Sequence, residues 1–239
     1  MSELELGPLA GEGTRVVESQ SQVATLELVD DLEEQKLLEE LLEETKPGRL
    51  PAGPHYLIAT PFRYPPLRHG SRYGTIDQRG IFYGSERVET ALAELAFYTL
   101  VFVDHAAGFE MPTVDKTAFT FGYATEVALD TTAGAFDETR ERLDAPGDYS
   151  ESQRVGRLAR DAGAEVIRFR SVRCPDGGAN LGVLSIEALE PEPRAMAGWT
   201  MRVHDGRVDF LERNASMPRR LAFAAAEFVE RGVDAHPDR

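Results

Sequence analysis

Apolar and polar positions change period several times along the chain, and each change marks an element. From Asp30, Leu32, Leu38, Leu41 and Leu42 recur at helical spacing behind a capping-box-like Asp30 and Glu33, until Lys46, Pro47 and Gly48 end the run. This predicts an acidic amphipathic helix packed on the domain behind a solvated face. Residues 1–18 mix glycine with acidic residues and show no apolar period, so they read as a frayed tail. Residues 56–60 read as a short buried strand, 61–74 as a long irregular connection, and 81–83 as a second short strand bracketed by Gly80 and Gly84. Ser85 then caps a predicted helix over 86–102. Val88, Ala91, Leu92, Leu95 and Thr99 make its main stripe, and Phe97, Leu100 and Val101 make its second half apolar nearly all round.

Residues 119–129 predict one or two strands, followed by loop and turn to Asp148 and a helix over 151–162 that stops near Gly163. Strands over 166–172 and 181–189 are joined by the turn-rich Cys174-Pro175-Asp176-Gly177-Gly178. A hairpin is expected at Asp205-Gly206, and a closing helix over 220–231. Helices alternate irregularly with hairpins, so the fold class is mixed α+β rather than a doubly wound parallel sheet. The chain divides into a tail and acidic helix over 1–50 and one domain over 51–239.

Composition narrows the function. A net charge of −15 repels a nucleic-acid backbone, while two or three arginines in a cleft can still hold a small anion such as a dinucleotide. No apolar run reaches the roughly 18 residues of a membrane span, and the N-terminus lacks the basic and apolar regions of a secretory signal. Cys174 is the sole cysteine, which favours a reducing, cytoplasmic setting. His55, His69, His105, His204 and His236 are scattered without ligand spacing, so no metal site is expected. Gly-x-Gly-x-x-Gly, phosphate-loop and Gly-x-Ser-x-Gly motifs are absent.

Chemistry-bearing residues concentrate between Arg68 and Glu94: Arg72 and Tyr73 on a glycine-flanked loop, Tyr83 at a strand end, and Glu94 on the next helix. Taken alone, Arg72 reads as a surface cation, Tyr83 as a core aromatic and Ser171 as a polar strand end. Glu94 lies nearly opposite Leu92 on the helical wheel and reads as solvent-facing. Phe97, Tyr98 and Val101 shift that reading, because they put Glu94 at the edge of a buried patch, where a carboxylate needs a partner or a ligand.

The blocks Gly70-Ser71-Arg72-Tyr73, Gly80-Ile81-Phe82-Tyr83-Gly84 and Ala91-Leu92-Ala93-Glu94, with Arg170-Ser171-Val172 and Asn180-Leu181 later, resemble the RES family, named for an arginine, a glutamate and a serine. Tyr73-Gly74 stands where the family has Trp-Asn, and Gly182-Val183-Leu184 replaces an Asn-Pro. The resemblance implies an ADP-ribosyltransferase-like β core with flanking helices. It also implies NAD as substrate rather than a resident cofactor, and a role as the toxin of a RES-Xre pair with an Xre-like antitoxin as partner. Its activities would be NAD glycohydrolase or phosphorylase, with ADP-ribosylation of a protein, or binding without catalysis, as alternatives. On this reading Glu94, Arg72 and Tyr83 are catalytic. Arg72, Tyr73, Tyr83 and Ser171 bind the dinucleotide, with Arg72 on its pyrophosphate and Ser171 on the ligand or on Glu94.

Overall fold

The computed structural model describes residues 4–19, 53–64, 68, 70–106 and 111–229, so the acidic helix expected from Asp30 lies outside the described residues. Eight strands form one sheet in the order β1-β2-β5-β4-β3-β6-β7-β8, with helices against its faces, which is the mixed α+β class expected. The strands are β1 (Gly7–Glu18), β2 (Phe82–Ser85), β3 (Val114–Asp130), β4 (Val166–Arg170), β5 (Ala179–Val183), β6 (Ala195–His204), β7 (Arg207–Glu212) and β8 (Arg220–Ala224). The helices are α1 (Tyr56–Arg63), α2 (Val88–His105), α3 (Arg140–Leu143), α4 (Ser150–Asp161) and α5 (Ala225–Val229). β1 also pairs with β3, which closes β1, β2, β5, β4 and β3 into a ring, while β6, β7 and β8 continue from β3 as an antiparallel extension.

The frayed-tail expectation fails at β1, which runs antiparallel to β3 from Gly7↔Ala128 to Glu18↔Lys116. Its glycines misled the reading, because they serve packing rather than disorder. A side chain at Gly13 would collide with the ring of Phe121. The strand expected over 56–60 is instead the first part of α1. His55 Nδ1 accepts the Leu57 amide at 3.2 Å and caps the helix, and a short apolar run cannot by itself distinguish the two states. Ser85 does not cap α2: it remains in β2 and donates to Asn180 Oδ1 at 2.7 Å, and Arg87 takes the cap position.

β3 is a single strand of 17 residues, and the stretch before Asp148 holds a 3₁₀ turn at Gly134–Thr139 as well as α3. The strand expected over 181–189 ends at Val183 and is followed by a 3₁₀ turn at Ile186–Ala188. The closing helix begins only at Ala225, because Arg220–Ala224 fills the open edge of β7. The hairpin at Asp205-Gly206 and helix α4 form where expected.

Three apolar clusters hold these layers. α2 lays Leu92, Ala96 and Phe97 on Trp199, Met201 and Phe210 of the extension. α1 lays Leu57 and Ile58 on Phe82, Phe119 and Phe121. Tyr73, Leu143 and Val155 pack on Leu129, Ile167 and Phe169. At about 1.5–3 kcal/mol for each large side chain removed from water, these clusters fix α2 and the 70–74 loop relative to the sheet. No described helix is long and apolar enough to cross a membrane.

Candidate active site

α2 is buried on most of its circumference, with Ala91, Leu92, Ala93, Ala96 and Phe97 all in the core. Glu94 is therefore carried into the protein and does not face open solvent; its side chain is 20% exposed. Three donors close on it from the β4–β5 connection and β5. Ser171 Oγ and Asn180 Nδ2 donate to Oε1 at 2.8 and 2.7 Å, and Arg173 Nη1 donates to Oε2 at 2.6 Å. Burial pushes the Glu94 carboxyl upward, but the Arg173 charge and these hydrogen bonds outweigh it and hold the group below the usual carboxylate range. The carboxylate is thus ionised at neutral pH.

Ser171 is itself held in place: its Oγ accepts the amides of Arg173 and Cys174 at 3.4 and 3.1 Å. Arg173, which the sequence reading passed over, lies over the rings of Phe97 and Tyr98 at 4.3 and 4.5 Å and donates to Tyr149 Oη at 2.8 Å. Its only sequence signal is a basic residue two positions after Ser171. Asn180 stands in the blocks quoted above but was given no role there.

Tyr83 reaches the same space from β2. Its hydroxyl bonds Ser71 Oγ at 2.8 Å and accepts the Tyr73 amide at 3.1 Å, and burial raises its pKa. Arg72 comes from the turn closed by Ser71 N donating to Gly74 O at 2.7 Å. Its Nη1 donates to the carbonyls of Leu143 and Ala145 at 3.0 and 3.1 Å, its guanidinium lies 4.6 Å from the Tyr149 ring centre, and its buried Nη2 has no partner. Arg72 thereby fastens the loop that carries Gly147, Asp148 and Tyr149.

Arg72, Tyr83 and Glu94 line one cavity of about 920 Å³, within the ~300–1,000 Å³ range of small-molecule sites. Ser171 stands behind Glu94 and touches the carboxylate. Tyr73 is elsewhere: it is 1% exposed, bonds Thr131 Oγ1 at 3.3 Å and packs on Phe169 at 4.8 Å, with burial pushing its pKa up to about 12. The expectation that Tyr73 binds the ligand is corrected on this point. The ring packs in the core with Leu143, Val155 and Phe169, and its hydroxyl finds a partner in Thr131.

The arrangement offers an ionised, tightly oriented carboxylate facing a cavity, beside a phenol and the Arg72 guanidinium, which has no ion-pair partner among the described residues. It suits stabilisation of positive charge on a bound ligand. Ser171→Ala removes one donor to Glu94, so the Glu94 pKa is expected to rise. The acid limb of the kcat/KM profile then moves upward relative to wild type, whereas an unmoved limb with lowered kcat would make Ser171 a structural residue only.

A family model described as the RES domain matches residues 46–215. A search of the curated proteins gives no match. Among solved structures, the crystal structure of the M. tuberculosis MbcT-MbcA toxin-antitoxin complex is similar at 11% identity and a TM-score of 0.47, over 80% of this chain and 85% of that one.

Proposed function

The chain belongs to the RES domain family, and from that premise we propose that it cleaves the nicotinamide-ribose bond of NAD, with water or phosphate as acceptor, as the toxin of a toxin-antitoxin pair. The observation that carries this reading is the Glu94 carboxylate, kept ionised on the wall of the cavity by three donors behind it. Expelling neutral nicotinamide leaves positive charge on the ribose, and a fixed carboxylate close to that carbon lowers the oxocarbenium-like transition state. Tyr83 packs against the nicotinamide ribose, while Arg72, which lines the cavity, meets the pyrophosphate. Ser171 is a positioning residue acting through Glu94. In this reading the protein works in the cytoplasm on an ADP-ribosyltransferase-like core, and an Xre-like antitoxin silences it by covering the cavity mouth.

Purified protein incubated with NAD, with and without phosphate, tests the proposal. Free nicotinamide with ADP-ribose, or with ADP-ribose 1″-phosphate when phosphate is present, is the expected outcome. Label transferred to a protein in cell extract would replace the proposal by protein ADP-ribosylation, and intact NAD under every condition would overturn it.

A further inference from the structure

Three guanidinium groups line the cavity, from Arg15, Arg72 and Arg173, and they are not equivalent. Arg173 is neutralised by Glu94. The other acid on the wall, Asp148, accepts the Ser150 amide at 2.9 Å through Oδ1. Among the described residues neither Arg15 nor Arg72 has an ion-pair partner. Arg15 Nη1 donates to the Tyr83 carbonyl, its guanidinium lies over Phe82 at 5.0 Å, and its Nε is buried without a hydrogen-bond partner. One hydrogen bond leaves most of a five-donor fork unused. A cation removed from water without a counter-charge is unfavourable, and burial draws the Arg15 pKa down to about 10.

Both unneutralised cations are organised around Tyr83. Arg15 takes its carbonyl, and the hydroxyl bonds Ser71 Oγ and the Tyr73 amide, the residues on either side of Arg72. Two uncompensated guanidiniums lining one cavity match a ligand with two anionic groups. Arginine recognises phosphate oxygens through paired N–H donors.

We propose that Arg15, on a strand outside the family-matched residues 46–215, is the second cation of a diphosphate subsite whose first is Arg72. The proposal deepens the reading of the cavity as a dinucleotide site and rests on it. It also assigns β1 a part in ligand binding, since Thr14, Arg15 and Val16 all line the cavity.

The test is calorimetric titration of the full chain with ADP-ribose, which carries the diphosphate, and with nicotinamide riboside, which carries no phosphate. Arg15→Gln is expected to weaken ADP-ribose binding by about tenfold or more and to leave nicotinamide riboside unchanged. Arg15→Lys, which keeps the charge but not the fork, should lose about threefold for ADP-ribose alone, and it carries the test if the Gln variant does not fold. Unchanged ADP-ribose affinity, equal losses for both probes, or no ADP-ribose binding by the wild type would each overturn the subsite. Absence of NAD cleavage by a wild-type protein whose ADP-ribose binding depends on Arg15 would overturn the proposed reaction and leave the subsite standing.

Discussion

Glu94→Gln is expected to lower NAD turnover by more than about tenfold, corresponding to loss of roughly 2–4 kcal/mol of transition-state stabilisation. The change is isosteric, but it has a second consequence, for stability. Arg173, with a side chain only 4% exposed, loses its counter-charge, so the variant should also be less stable by about 3 kcal/mol. Turnover measured at a temperature where both proteins are folded separates the effects. The double variant Glu94→Gln, Arg173→Met should regain much of the stability and none of the activity, because removing both charges leaves no buried ion unpaired.

The stability difference must also depend on pH in one direction. Glu94 has a folded pKa below its unfolded value of about 4.3, so its contribution is complete above that value and is lost as pH falls through the folded pKa. Denaturant midpoints of wild type and Glu94→Gln should therefore converge at the acid end. Parallel midpoints down to the acid limit would mean that the ion pair contributes nothing.

Gly156→Ala is the second substitution with a large expected effect. Helix propensity alone predicts a gain of about 1 kcal/mol in the middle of α4. The packing predicts the reverse, because a methyl group there would overlap the Tyr73 carbonyl oxygen and the backbone around it. Tyr73 is anchored to β2 by its amide on Tyr83 and to Thr131 by its hydroxyl, so the loop cannot give way without releasing Arg72 and Tyr83. A net loss of about 2–3 kcal/mol is expected, with weakened ligand binding beside it. A urea midpoint above that of wild type would show that α4 does not rest on this loop as described.

What the sequence revealed and what it concealed follow from the range of the forces involved. Glu94 was legible as a carboxylate at an apolar edge because Phe97, Tyr98 and Val101 share its helix, and the convergence of Arg72, Tyr83 and Glu94 on one cavity matches the expected geometry. The Asp205-Gly206 hairpin was legible because turn chemistry is local. Arg15 and β1 were not. Their structure depends on pairing with β3 about a hundred residues away and on aromatic rings filling the space above glycines, neither of which leaves a local period. The closing segment failed for the same reason, since an Ala- and Leu-containing stretch became a strand only because β7 offered an edge. Tyr73 was misplaced because an aromatic beside a binding loop can serve ligand or core equally well, and the three-dimensional neighbours Thr131 and Phe169 decide between them.

The cavity wall draws on residues from Thr14 to Asn180, so no shorter nascent chain can contain it. At about 5–20 residues per second, a ribosome needs on the order of 10–35 s to release the last of these contributors. Until residue 173 has been added, the fragment holding Arg72, Tyr83 and Glu94 lacks Arg173, the charge that keeps the carboxylate in place. The cavity as a whole therefore takes shape late and all at once during synthesis.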